Sequence, residues 1–204
     1  MPSSSALSPW LHRSLVDIRQ DLLDLFCENA YQEGNFTLSS GQLSSYYING
    51  KQVTLHPGGA VAVGRLLFDR LPLSIPAVAG LTLGADPMVM AVSLVAAYND
   101  RSITPLIIRK TAKGHGTRAY IEGLELPEGT PIAVLEDVVT TGRSALQAVE
   151  RLQEAGYQVS HIFALVDRQQ GGRELYTECG LIFESLYDLS ELQSHWKKRS
   201  IKGF

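Results

Sequence analysis

The sequence predicts an α/β fold in which helices flank a central parallel sheet. From about residue 57 onward, short runs of continuous apolar residues alternate with segments of helical periodicity. Such runs are typical of parallel strands that are covered on both faces. The 204 residues suit a single domain with one substantial core, and neither an internal repeat nor a Pro/Gly-rich linker divides them.

The N-terminal part of the chain has a different pattern. Apolar residues recur at helical spacing over residues 14–30, and Gly34 is expected to stop this helix. Between residues 36 and 55, aromatic and β-branched residues surround Ser-Gly turns, which favours a hairpin or meander.

Helices and strands then alternate along the chain. Helices are predicted over 59–71, 85–98 and 144–155, and strands over 77–80, 105–108, 132–135 and 162–166, with a last apolar run at 181–183. Ligands bind beyond the carboxyl ends of the strands in such sheets. The candidate chemical segments therefore follow Gly80, Ile108, Leu135 and Val166.

Composition and charge exclude several classes of protein. A net charge of −3 and a pI near 5.9 argue against general affinity for nucleic acid, and the short basic run 197–199 is expected to be a solvated C-terminal tail. Membrane spans and a secretory signal are not expected. Cys27 and Cys179 are expected to be reduced thiols of a cytoplasmic protein, with one disulfide as the alternative. Neither a membrane nor a nucleic acid is expected as a partner.

The segment 132–145 carries the most information about chemistry. An apolar strand ends in Glu136 and Asp137, a Thr-Thr-Gly turn follows, and a helix then begins. Backbone N–H groups of the turn and helix, with the hydroxyls of Thr140, Thr141 and Ser144, suit a phosphate. The carboxylates suit ribose hydroxyls or a Mg²⁺ ion shared with a diphosphate. Helix capping alone is the alternative interpretation of an isolated acidic pair.

Across about thirteen residues this segment resembles the signature with which type I phosphoribosyltransferases bind 5-phosphoribosyl 1-diphosphate (PRPP). The resemblance implies a type I phosphoribosyltransferase-like fold with a small N-terminal hood. The hood would comprise about 1–56 plus a C-terminal segment, and the core about 57–175. It also implies a set of PRPP-binding residues, which are Arg109, Lys110, Lys113, His115, Glu136, Asp137, Val138, Val139, Thr140, Thr141, Gly142, Arg143 and Ser144.

A second segment is rich in potential cations. Residues 109–116 read Arg-Lys-Thr-Ala-Lys-Gly-His-Gly and follow a predicted buried strand. A solvated surface loop is the alternative, but cations on a glycine-bearing loop could neutralise a departing diphosphate and exclude water. The pattern resembles the catalytic loop of orotate phosphoribosyltransferases, and segments 36–48 and 166–172 resemble the hood and Asp-Arg segments of that family.

That resemblance implies roles for individual residues. Catalysis would fall to Arg109, Lys110, Lys113, His115 and Asp137. Orotate would bind at Thr140 and Arg168, although a surface ion pair with Asp167 is the alternative for Arg168. The protein would supply no dedicated metal site, with Mg²⁺ held mainly through PRPP. A homodimer would share the catalytic loop between subunits.

The expected reaction converts orotate and PRPP to orotidine 5′-monophosphate and diphosphate, a step in de novo UMP biosynthesis. Ser39 and Gly84 stand where some members of the family have lysine, which removes two cationic contacts relative to that branch. Two other interpretations are weighed: a phosphoribosyltransferase for another base, and a non-enzymatic sensor of PRPP. The complete basic loop disfavours the sensor.

Overall fold

The computed structural model describes residues 8–37, 41, 43–113 and 119–202. Within these ranges the helices are α1 (Ser8–His12), α2 (Leu15–Asn29), α3 (Lys51–Thr54), α4 (Pro57–Arg70), α5 (Asp86–Tyr98), α6 (Arg143–Glu154), α7 (Gly172–Glu178) and α8 (Leu189–Lys202). The strands are β1 (Tyr31–Thr37), β2 (Leu43–Ile48), β3 (Ala77–Leu81), β4 (Thr104–Ile108), β5 (Ile121–Glu122), β6 (Pro131–Val139), β7 (Gln158–Asp167) and β8 (Ile182–Asp188).

The central sheet confirms the predicted α/β class. Its strand order is β5-β4-β3-β6-β7-β8, and all neighbours are parallel except the two-residue strand β5, which runs antiparallel to β4 at the edge. Strand β3 is buried along its whole length, as its continuous apolar sequence predicts for a strand covered on both faces.

Two apolar layers cover the two faces of this sheet. Side chains of α2, α4, α5 and α8 pack with Val78, Leu135 and Phe163 on one face. On the other face, Ala148 and Leu152 of α6 pack with strand residues that alternate with the first set. The packing of these helices therefore holds the ends of the strands in place, and the loops of the candidate site begin at those ends.

Strands β1 and β2, which we call the hood, form a separate two-stranded sheet that contacts α2 and α8. The predicted hairpin is present, but it begins at Tyr31, whose pairing partner is Ile48. The prediction that Gly34 stops the first helix is wrong, because α2 is capped at Ala30 and Gly34 lies in β1 at an irregularity in the pairing. Residues predicted to continue the meander instead form the short helix α3.

The prediction that the basic run 197–199 is a solvated C-terminal tail is only partly right, because Lys197 and Lys198 are exposed but the run is helical and Arg199 is paired. The run lies in α8, and Arg199 donates to Asp24 at 2.8 Å and to Glu28 at 2.6 Å. His195 also contacts Asp24 at 2.6 Å. These contacts attach α8 to α2. In the portion of the chain that the structure describes, none of the helices has the length and apolar character needed to cross a membrane.

Candidate active site

The carboxyl ends of β3 and β6 meet where the strand order reverses. The chain proceeds from β3 to β4 on one side, whereas β6, β7 and β8 continue on the other. A crevice forms at such a topological switch point. Strand β6 pairs with β3 only as far as Val134 but continues along β7 to Val139. Beyond Val134, the edge of β6 that faces β3 is therefore open toward the crevice.

The acidic pair lies inside β6, which corrects the predicted strand end at Leu135. Glu136 and Asp137 are each only 8 % exposed, and Glu136 is in register with Ala164 of β7. The strand extends further than its apolar run because β7 offers pairing partners up to Asp167. The two side chains lie close enough to interact, since burial and then Asp137, through its charge and a side-chain hydrogen bond, raise the pKa of Glu136.

Glu136 is a buried carboxyl with an unusual proton affinity. Burial, followed by the neighbouring charge of Asp137, raises its pKa from 4.5 to about 8, although Lys110 and Lys51 act in the opposite direction. Its Oε2 atom is buried and makes no hydrogen bond to the described residues. An unpartnered buried oxygen is costly, so this atom is poised for a partner from outside the protein.

Asp137 is held closely by its surroundings. Its Oδ1 accepts a hydrogen bond from the backbone N–H of Val138 at 3.0 Å, and its Oδ2 lies 3.9 Å from Nζ of Lys51. A Cβ atom at Gly84 would lie 2.6 Å from Oδ1. A glycine is therefore required for the close approach of the turn after β3 to this carboxylate.

The turn 140–142 and the start of α6 form a polar cradle. Gly142 has a φ of +82°, a left-handed conformation that glycine adopts without strain, and it directly precedes α6. A cavity of about 70 Å³ lies here. Its walls come from Glu136, Val138, Val139, Thr140, Thr141, Gly142, Arg143, Ser144, Ala145 and Tyr176. Unpaired N–H groups at a helix start, together with hydroxyls, favour an anion.

Arg168 joins this cradle to the hood. Its Nη1 donates to Oγ1 of Thr140 at 3.3 Å, and its Nε donates to the hydroxyl of Tyr46 at 3.1 Å. The guanidinium also lies 4.8 Å from the centre of the Tyr46 ring, and Gln170 donates to the same hydroxyl at 3.1 Å. The alternative ion pair with Asp167 is not formed, because Asp167 pairs with Arg173 at 3.4 Å.

The basic loop rises from a short antiparallel neck. The N–H of Arg109 donates to the carbonyl of Tyr120, and the N–H of Lys113 donates to that of Ala119. Arg109 and Lys113 both pair with Glu122, at 3.0 and 3.6 Å. These cations lower the pKa of Glu122, chiefly through the Arg109 hydrogen bond. His115 lies outside the described residues.

Arg151 of α6 supports that neck from below. Its guanidinium donates to the carbonyls of Arg109 and Lys110 and lies 4.1 Å from the centre of the Tyr120 ring. Arg151 therefore links the beginning and the end of the loop to α6, the helix that begins at the polar cradle.

The structure thus gathers most of the predicted residues at one strand edge. The acidic pair, the turn and Arg168 lie together, and Lys110 is close enough to influence Glu136 electrostatically. Sequence reasoning missed six residues that shape the site, namely Tyr46, Lys51, Glu122, Arg151, Gln170 and Tyr176. Tyr46 and Gln170 had a signal, since they lie in segments 36–48 and 166–172, which resemble family motifs; the others are brought in by tertiary contacts.

Comparisons with known proteins agree on one family, although no protein-family model matches the chain. Orotate phosphoribosyltransferase of Nostoc sp. is 62 % identical over 181 residues, which cover 89 % of this chain and 88 % of the relative. The enzyme of that name from Synechocystis sp. is 60 % identical over 185 residues, covering 91 % and 93 %. Orotate phosphoribosyltransferase of Mycobacterium tuberculosis H37Rv, solved in complex with PRPP, superposes with a TM-score of 0.72 at 33 % identity, covering 86 % of this chain and 99 % of that structure.

Proposed function

The chain belongs to the orotate phosphoribosyltransferase family, and we propose that it uses the crevice between β3 and β6 to convert orotate and PRPP to orotidine 5′-monophosphate and diphosphate. This reaction is a step in de novo UMP biosynthesis. The observation that carries the assignment is the cradle of residues 140–144 beside a buried acidic pair, with Arg168 bonded to Thr140. We place the reaction in the cytoplasm, because Cys27 and Cys179 are unpaired thiols suited to a reducing compartment.

PRPP would lie along the crevice with its two ends in different environments. Its 5′-phosphate would occupy the cradle, where the N–H groups and hydroxyls of residues 140–144 donate to phosphate oxygens. The ribose hydroxyls would donate to Glu136 and Asp137, with the backbone of Val138 and Val139 beside them. Lys51 is a further cation in this region, since it lies 3.9 Å from Asp137.

Orotate would bind on the hood side of the sugar. Arg168 is held by Tyr46 and Thr140, and its planar fork of donors suits a carboxylate or a ring carbonyl. Thr140 touches both regions, because it belongs to the cradle and also accepts from Arg168. The base and the sugar would therefore be aligned by one residue.

The chemical step would be a substitution at the anomeric carbon. The bond from this carbon to the diphosphate oxygen breaks and its electron pair leaves with diphosphate, while a deprotonated ring nitrogen of orotate supplies the pair for the new bond. Negative charge grows on the leaving group, and Arg109, Lys110, Lys113 and His115 would neutralise it. Closure of the loop over the crevice would also exclude water.

Mg²⁺ would accompany PRPP in this site. The ion would be held mainly through oxygens of PRPP, and the carboxylates of Glu136 and Asp137 are oxygen groups of the kind that Mg²⁺ prefers beside it. The ion would offset charge on the departing diphosphate when bound. Glu136 fits this role because its buried Oε2 makes no hydrogen bond to the described residues.

A homodimer that shares the basic loop is the assembly that we propose. Met90, Leu94 and Tyr98 recur at every fourth position of α5 and are 45, 55 and 89 % exposed. Leu94 and Tyr98 border a groove of about 540 Å³ between α4, α5 and the N-terminal helices. Exposed apolar surface of this kind marks protein–protein contacts. Because α5 begins directly after the turn that contacts Asp137, a partner on this face would lie near the crevice.

The assignment is tested by following orotate absorbance in the near ultraviolet. Purified protein with PRPP and Mg²⁺ should cause a decrease that reverses when diphosphate is added. If absorbance stays constant while PRPP still binds by calorimetry, the pocket remains but the orotate assignment fails. A phosphoribosyltransferase for another base, or a sensor of PRPP, would then be the better description.

A further inference from the structure

The phenol of Tyr176 is fully buried, yet its hydroxyl lacks a hydrogen-bond partner among the residues that the structure describes. A buried hydroxyl in this state loses its interactions with water without compensation, which makes phenylalanine the more stable choice for a purely structural position. A buried hydroxyl without a partner needs an explanation, and one explanation is that it contacts a ligand when the ligand is bound.

The ring of Tyr176 is fixed against the cradle. A Cβ atom at Gly142 would lie 2.9 Å from its Cε1 atom, and the ring packs edge-on against Phe183 with centroids 5.0 Å apart. Tyr176 contributes to the wall of the 70 Å³ cavity together with the turn and Glu136. Burial, and then the charges of Glu136 and Asp167, raise the pKa of the phenol, which places the hydroxyl within electrostatic reach of both carboxylates.

Two orphaned polar atoms therefore belong to one small cavity. Oε2 of Glu136 and the hydroxyl of Tyr176 both lack partners in the described part of the chain, and both residues contribute to the cavity wall. A space of about 70 Å³ holds about two water molecules, or a phosphoryl group of similar size. The phenol is a donor at neutral pH whatever the state of its neighbours, whereas Glu136 can donate only while it is protonated.

We propose that Tyr176 is a phosphate-binding residue whose hydroxyl donates to an oxygen of the 5′-phosphate in the cradle. This inference rests on the proposed function, because it assigns the phosphate of PRPP to that cavity. The donor comes from α7, so the phosphate would be held by this helix as well as by the turn before α6. The contact would be charge-assisted, since the acceptor is an anionic oxygen.

The test is Tyr176→Phe, which removes one oxygen and keeps the ring that packs on Gly142 and Phe183. We expect KM for PRPP to rise about tenfold, because a hydrogen bond to a charged group is lost. The dissociation constant of inorganic phosphate, measured by calorimetry, should rise by a similar factor, while kcat and KM for orotate stay close to wild type. Without ligand, the thermal midpoint should be unchanged or higher, since an unsatisfied hydroxyl has gone.

Tyr187→Phe is the matched control, because its buried hydroxyl donates to the carbonyl of Arg19, away from the cradle. That variant should lose stability and keep its affinity for phosphate. The inference is overturned if Tyr176→Phe binds inorganic phosphate like the wild type. A shift in the pH profile of activity alone would then mean that the phenol serves only Glu136. No change in either measurement would mean that the phenol has no role in the site. The phosphate measurement decides independently of turnover, so an inactive wild type would sink the proposed reaction without deciding the role of Tyr176.

Discussion

At the scale of single residues, the guanidinium of Arg168 is held in position by a few contacts with neutral side chains. Its Nε and Nη1 donate to the hydroxyls of Tyr46 and Thr140, and the ring of Tyr46 packs against the guanidinium. Its neighbour Asp167 is meanwhile occupied by Arg173 and by the N–H of Gln169. The guanidinium is therefore oriented by neutral groups and keeps its full charge for an anionic ligand.

Replacing Arg168 by lysine should separate its charge from its geometry. An ammonium keeps the charge but cannot bridge Tyr46, Thr140 and a carboxylate with a planar fork. We expect KM for orotate to rise at least about tenfold, with KM for PRPP nearly unchanged. Initial rates at varied orotate measure this effect, and Arg13→Lys in an exposed ion pair with Asp21 is the control. Equal rises in both KM values would contradict a role confined to orotate.

Glu136 gives a pH dependence with a defined sign. Its pKa is raised from 4.5 to about 8 by burial and by Asp137, so between these values the folded protein holds a proton that the unfolded chain has released. The free energy of unfolding should therefore decrease as the pH rises through this window, and the contribution is fully present below the unfolded pKa. Glu136→Gln should show a weaker decrease.

Denaturant midpoints across this window measure that difference. The exposed Glu154→Gln on α6 is the control and should keep the wild-type slope. If wild type and Glu136→Gln lose stability equally as the pH rises, the raised proton affinity is not that of Glu136. Activity needs no measurement here, so the result is independent of the proposed reaction.

At the scale of secondary-structure elements, α6 determines how the basic loop is oriented. Its neck is an antiparallel pair of segments, and α6 holds that neck through Arg151. The same helix forms the cradle with its first turn. One rigid element thus supports the cradle of its own subunit and the neck of the basic loop, so the direction in which the loop projects depends on α6.

Arg151→Ala should uncouple the loop from α6. Two hydrogen bonds to carbonyls and the contact with Tyr120 are lost, and the loop cations become less well positioned. We expect kcat to fall about tenfold while KM for orotate changes little, because the base side is held by other elements. Steady-state kinetics measure this change, with the exposed Gln153→Ala on the same helix as control. A selective loss of orotate affinity would contradict the proposed support of the loop.

At the scale of the whole molecule, what the sequence could predict was set by the range of the interactions. The buried strands are readable because each one is a local apolar run, and the segment 132–145 is readable because strand, turn and helix are contiguous. The two-residue strand β5 and the helix α3 are too short for periodicity. Arg168 and Tyr46, by contrast, meet across 122 positions of the chain, and Arg199 and Asp24 across 175. No local pattern could indicate these pairs.

The shared loop is a property of the assembly, and mixing two inactive variants tests it. Lys113→Ala removes a loop cation, and Arg168→Ala removes the proposed orotate contact. If the loop acts in trans, each mixed dimer carries one site with both residues intact and one with neither. Random exchange makes half of the dimers mixed, so activity should recover to about one quarter of wild type, because half the dimers hold one good site of two.

Leu94→Glu on the exposed stripe of α5 supplies the control for that experiment. A buried unpaired carboxylate at the proposed interface would oppose dimerisation, and Leu94 is 55 % exposed, so the change should not disturb the subunit core. Added to both variants, it should yield monomers in analytical ultracentrifugation and abolish the recovery. Recovery absent from the mixed, dimeric variants would instead place the loop over the site of its own subunit. That outcome would mean that the loop closes over the site of its own subunit, where Arg151 ties its neck to α6, and that the apolar stripe serves dimerisation without sharing of the loop.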